Sequence, residues 1–140
     1  MRILCLDFDG VLHAYTSGWQ GVDKVADGPT PGAMAFLRAA VDSFQVHIYS
    51  SRSGSIVGRL AMADAVRSWL IADGMSPDDA LDFVERGVCW PSEKPAAFIT
   101  LDDRALCFKG EFPTLESLHN FKTWVEINKD ANRAAEGAPR

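Results

Sequence analysis

Two aspartates two positions apart, Asp7 and Asp9, follow the apolar run Ile3-Leu4-Cys5-Leu6 and precede Gly10. The apolar run predicts a short strand buried on both faces. Residues two apart on an extended chain point the same way, so the two carboxylates should emerge together where the strand ends. Gly10 allows a sharp turn at that point. Two acids held side by side repel each other and call for a cation, a shared proton or bound water.

Two more stretches carry candidate chemistry. Ile48-Tyr49-Ser50-Ser51-Arg52 ends an apolar run with two hydroxyls and a guanidinium. Arg52 is of a type that forks onto phosphate oxygens. Phe98-Ile99-Thr100-Leu101 ends in the adjacent acids Asp102 and Asp103.

The elements that must position these residues alternate strand and helix. Thr30-Pro31 is a helix-start signal, followed by Met34, Leu37, Val41 and Phe44 at helical spacing. Residues 45–50 read as a second strand. A second helix is expected over 55–73, with Ile56, Leu60, Ala63, Trp69 and Leu70 facing the core and Gly74 as its C-terminal cap. Ser76-Pro77 starts a third helix reaching about Glu85, Val88-Cys89-Trp90 is a candidate short strand, and 98–101 is a clearer one. An edge strand over 105–108 and a final helix with Leu115, Leu118, Phe121 and Val125 on one face complete the reading. The expected organisation is one domain over 1–127 and a polar tail over 128–140. Alternation of this kind argues for a parallel sheet covered by helices on both faces, with ligands bound beyond the strands' carboxyl ends. Asp7, Asp9, Ser50, Arg52, Asp102 and Asp103 should then share one rim.

Leu6-Asp7-Phe8-Asp9-Gly10-Val11 resembles the first motif of the haloacid dehalogenase (HAD) superfamily of phosphohydrolases, Asp-x-Asp-Gly-Val/Thr. Ser50 at a strand end is similar to that superfamily's second motif, and Asp102-Asp103 to the paired-acid form of its fourth. The resemblance implies a three-layer α/β/α sandwich with a parallel, Rossmann-like sheet. The intervals 11–45 and 54–93 leave no room for a separate cap domain. It also implies an Mg²⁺-dependent phosphomonoester hydrolase. In such an enzyme Asp7 would attack phosphorus to give an aspartyl-phosphate, and Asp9 would serve as acid and then base. Ser50 would donate to a phosphoryl oxygen, with Gly10, Ser51 and Arg52 at the substrate. Mg²⁺ would be held by Asp7, the Asp9 carbonyl and Asp103, with Asp102 supporting. Hard oxygen donors of this kind suit that ion.

The superfamily also requires a cation beside the nucleophile. Lys94 holds the expected place in chain order, yet it lies only eight residues before Asp102. A strand rising over 98–101 would start Lys94 near the opposite end of the sheet, so Arg52 and Arg104 are the alternatives. An open site without a cap suits a large phosphorylated substrate such as a nucleic-acid end, and the string 50–54 together with Asp102-Asp103-Arg104 is similar to the phosphatase half of polynucleotide kinases. A polynucleotide 3′-phosphatase is therefore one alternative. A non-catalytic phosphate-binding domain of the same fold is another. The loop 12–21 could lie over the acid pair, with Tyr15 and Trp19 at the entrance. His13, His47 and His119 lack metal-ligand spacing and read as packing or solvent residues.

Composition narrows the classes. The 140 residues carry a net charge of −5 with no basic block, which disfavours nonspecific nucleic-acid binding. Three cysteines, Cys5, Cys89 and Cys107, sit in apolar company without close spacing and read as three buried, reduced thiols rather than a disulfide framework or zinc site. No run has membrane-spanning length. The chain opens directly on a core strand, which leaves no space for a signal peptide, and the expected location is cytoplasmic.

Overall fold

The computed structural model describes residues 1–137. Its sheet has three parallel strands in the order β2-β1-β3: β1 Ile3–Leu6, β2 Gln45–Ile48 and β3 Ile99–Leu101. Helices α1 (Ala33–Ala40), α2 (Ile56–Ala72) and α3 (Pro77–Asp82) flank it, and a π-helical turn at Phe83–Gly87 follows α3. Helices α4 (Leu115–His119) and α5 (Trp124–Glu136) come last. The chain divides after Asp102 into two compact units.

Beneath the rim of the first unit lie Leu6, Phe8, Leu37, Val46, Ile48, Met62, Val66 and Leu70, all withdrawn from solvent. Burying one such side chain contributes about 1.5–3 kcal/mol. β1 is central, and its apolar run is consistent with burial on both sides. Coverage stops at β3. Ile99 is 54% and Leu101 47% exposed, so the third strand is an open edge rather than a strand covered on both faces.

Helix α2 occupies its expected span but turns a different side inward. Ser55 caps it by accepting a hydrogen bond from the Gly58 backbone at 3.0 Å, a contact worth about 1 kcal/mol. The buried stripe is Gly58, Met62, Val66 and Leu70, whereas Ile56 and Leu60 are 65% and 57% exposed. Of the expected core positions only Leu70 is fully sealed. The helix is apolar on more than one side, so periodicity alone does not choose its inward face. Gly58 does: a Cβ there would lie 2.0 Å from the Arg52 carbonyl oxygen, so only glycine lets α2 approach the loop that carries Arg52. The outward residues Ile56 and Leu60 border an open groove with Leu81, Val84 and Trp90.

Other boundaries shift for local reasons. Helix α1 begins at Ala33, after Gly32 in a left-handed conformation (φ 82°), and Thr30 does not cap it. Cys89 forms a single parallel bridge with His47 rather than a strand, and residues 90–98 carry the chain from beyond β2 to beyond β1 without a helix. Three strand spacings come to about 14 Å, which eight or nine extended residues span easily.

Residues 105–108 form no strand, because a run of consecutive apolar residues without a pairing partner does not specify one, and Cys107 within them is exposed, so of the three thiols expected to be buried only Cys5 is fully so. The expected last helix is two helices, since Thr123 accepts a hydrogen bond from the Glu126 backbone and starts α5 afresh. The stretch from Asn128, expected as a polar tail, continues α5 to Glu136, and residues 138–140 lie outside the described residues. No helix among the described residues is long and apolar enough to cross a membrane.

Candidate metal and catalytic site

Strand register brings the acids together. Leu6 pairs with Leu101, so the next residues, Asp7 and Asp102, leave the sheet side by side, and the Asp7 backbone N–H donates to the Leu101 carbonyl at 3.0 Å. Asp7, Asp102 and Asp103 each offer a carboxylate oxygen within 4.8 Å of the others. The Phe8 backbone N–H donates to Asp7 Oδ1 at 2.8 Å and fixes that carboxylate's orientation. Oxygens around a six-coordinate Mg²⁺ at about 2.1 Å are about 3–4 Å apart, so the donor set has the right chemistry and nearly the right size for a hard divalent cation.

Asp9 takes a different path. Its carboxylate is not part of the Asp7 cluster and is held by two cations or potential cations. Arg52 Nε donates to Asp9 Oδ2 at 3.0 Å and to Oδ1 at 3.2 Å, and Nη2 donates to Oδ1 at 3.1 Å. His13 Nδ1 lies 2.8 Å from Oδ1. Burial alone would push the Asp9 carboxyl up, but the hydrogen bonds from His13 and Arg52 and the charge of Arg52 outweigh it. The carboxyl sits below its usual value.

Arg52 is fully buried, and its other terminal nitrogen is engaged as well. Nη1 donates to the Gly21 carbonyl at 3.0 Å and the Val22 carbonyl at 2.9 Å, and the guanidinium lies 4.8 Å from the Trp19 ring centroid. Arg52 thus ties the loop after Gly10 to Asp9.

Ser50 is buried at the end of β2. Its hydroxyl donates to Met62 Sδ at 3.3 Å and accepts from the Arg52 backbone N–H at 3.0 Å, which shapes the turn that delivers Arg52. Ser51 is exposed. Gly10, in a left-handed conformation (φ 81°), donates its N–H to the His13 carbonyl.

Lys94 is exposed, halfway along the crossing from Cys89 to β3. Its charge reaches the buried Cys5 thiol, as do those of Asp7 and Asp102. That thiol is pushed up chiefly by burial, with Asp7 and Asp102 adding to the rise and a hydrogen bond with Thr100 and the Lys94 charge opposing it. Arg104 is exposed and lies 4.0 Å from Asp103.

Two participants escaped the reading of the sequence. His13 had only its position four residues after Asp9, across a glycine turn, to mark it. Asp27 had no local signal; its backbone N–H donates to His13 Nε2 at 3.1 Å, a contact made fourteen residues away in sequence. Compared with protein-family models, with curated proteins and with solved structures, the chain matches none.

Proposed function

We propose that this chain is a metal-dependent phosphomonoester hydrolase of the HAD type. The observation that carries the reading is the convergence of Asp7, Asp102 and Asp103 at the carboxyl ends of neighbouring strands, within 4.8 Å of one another. An apolar strand ending in one acid, beside a second strand ending in two, concentrates negative charge that a purely structural site would avoid.

In this reading Asp7, Asp103 and the Asp9 carbonyl hold Mg²⁺, with Asp102 beside them. The ion, when bound, offsets the negative charge that would otherwise keep a phosphate away from a carboxylate. Asp7, oriented by the Phe8 N–H, attacks phosphorus in line and forms an aspartyl-phosphate. Asp9 manages the proton of the leaving oxygen and then of the attacking water. With Arg52 already engaged by Asp9 and the loop, the exposed cations left for the transferred group are Lys94 and Arg104, the latter 4.0 Å from Asp103. Ser50 acts here through the Arg52 turn.

One observation favours a second reading, a non-catalytic phosphate-binding domain. The Arg52 and His13 contacts hold Asp9 ionised, which disfavours its protonated, acid-donating form. Turnover separates the two. The purified protein should hydrolyse p-nitrophenyl phosphate with Mg²⁺, lose activity in EDTA, and lose it in Asp7→Asn. Binding of phosphate without turnover on a broad phosphomonoester panel would support the binding domain instead. Oligonucleotides bearing a 3′-phosphate, run in the same panel, test the polynucleotide substrate.

A further inference from the structure

The turn after Asp9 returns a buried imidazole to the carboxylate it has just passed. The Phe8 carbonyl accepts hydrogen bonds from the backbone of Val11 and of His13, and the His13 carbonyl accepts one from Gly10. This closed turn sets the His13 ring against Asp9, with no exposure to solvent. Phe8 lies 5.5 Å, Tyr15 5.6 Å and Trp69 6.1 Å from the ring, centroid to centroid. Tyr15 reaches its edge-on position from a left-handed backbone (φ 60°), a conformation a bulky residue adopts only when its surroundings hold it there.

The imidazole's tautomer follows from its partners. The Asp27 backbone N–H can only donate, and it points at His13 Nε2 from 3.1 Å. Nε2 must therefore accept, and a neutral ring carries its proton on Nδ1, where it donates to Asp9 Oδ1 at 2.8 Å. Asp27 is itself held, since Ser17 donates its backbone N–H to Oδ2 at 2.8 Å and its hydroxyl to Oδ1 at 2.7 Å.

The two oxygens of Asp9 are thereby made unequal. Oδ1 takes His13 Nδ1, Arg52 Nε and Arg52 Nη2, whereas Oδ2 takes Arg52 Nε. A carboxylate oxygen with three donors has little capacity left for a further proton.

The geometry points to His13 as a positioning residue that, in its Nδ1–H tautomer, occupies Oδ1 of Asp9 and leaves Oδ2 as the oxygen that exchanges a proton with substrate. The groups facing the ring are Asp9, Asp27, Phe8, Tyr15 and Trp69, and Arg52 meets it through Asp9. Through the Asp27 N–H, the ordering of loop 14–28 becomes a condition for correct presentation of Asp9. The catalytic part of this inference rests on the phosphatase reading. The tautomer and the contacts do not.

The test therefore has two arms. In the wild-type protein, ¹⁵N NMR of the imidazole should find the His13 proton on Nδ1; a proton on Nε2 would overturn the proposal whether or not the protein is an enzyme. In the kinetic arm, the Asn side-chain amide can supply a donor near the place of Nδ1, and Ala cannot. His13→Ala should lower kcat by about 10–100-fold with KM little changed, the range seen when a group that orients an active residue is removed. His13→Asn should recover most of that loss at a comparable melting temperature. Equal kcat losses in the two variants, or a loss confined to KM, would overturn the positioning role. An inactive wild type would sink the phosphatase reading and the catalytic part with it, and NMR alone would then decide the tautomer.

Discussion

Arg52 Nε lies 3.0 Å from Asp9 Oδ2, and the side chains of this pair, 43 residues apart in sequence, are 0% and 12% exposed. A charge pair so sealed is costly to break, because removing either partner strands the other in a medium that solvates it poorly. The same guanidinium also holds the Gly21 and Val22 carbonyls, which makes it a structural bolt between β2 and the loop after Gly10.

Replacing Arg52 should accordingly cost stability before it costs binding. Arg52→Met is expected to destabilise by about 3–5 kcal/mol, the cost typical of a half-removed buried pair. Arg52→Lys should recover only part, since one ammonium cannot reach both Asp9 and the two loop carbonyls. Urea unfolding of both variants provides the check, and a cost below about 1 kcal/mol for Met would show that the pair is not closed in solution.

Acid should expose the same pair through Asp9. Its folded-state carboxyl lies below its usual value, so its contribution is present above the unfolded pKa of about 3.9 and is lost as pH falls through the depressed folded value. The stability gap between wild type and Asp9→Asn should be flat from about pH 5 upward and shrink below about pH 4. Chemical unfolding across that range measures it; a gap that widens in acid would mean that the fold does not favour the Asp9 carboxylate.

Metal should stabilise the folded chain through Asp7, Asp102 and Asp103. At Mg²⁺ about a hundredfold above its dissociation constant the gain is about 2.7 kcal/mol, visible as a raised melting temperature. Asp103→Asn should reduce that gain. Without metal its effect on the melting temperature should be small, because relief of repulsion among the three acids offsets the weakened contact with Arg104. A melting temperature indifferent to Mg²⁺ in the wild type would remove the cluster's claim to the ion.

The inward face of α2 can be tested by three substitutions. Met62→Ala should cost about 2–5 kcal/mol, as fully buried methionines do. Leu60→Ala, on the exposed side, should stay within about 0.5 kcal/mol. Gly58→Ala must push the Arg52 carbonyl away and should cost about 1–3 kcal/mol. If Leu60→Ala proved the costlier of the first two, the helix would face the other way.

The sequence determined the parts that depend on near neighbours. The apolar run before Asp7, the capping signals at Ser55 and Ser76, and the acid pair after Leu101 are local patterns, and their elements appear where expected. Parallel pairing of strands that each end in acids then made the meeting of Asp7 with Asp102 and Asp103 foreseeable. Tertiary structure alone decided which side of α2 faces inward, since its apolar residues fit more than one face and the choice falls to the contact of Gly58 with the Arg52 carbonyl. It also decided what Arg52 and His13 do. An arginine beside a candidate phosphate site looks available until a carboxylate 43 residues away claims it. A histidine without metal-ligand spacing looks inert until the Asp27 N–H fixes its proton on the side of Asp9. Hydrogen bonds between distant segments leave no periodic trace in sequence, and here they separate the role of Asp9 from that of Asp7.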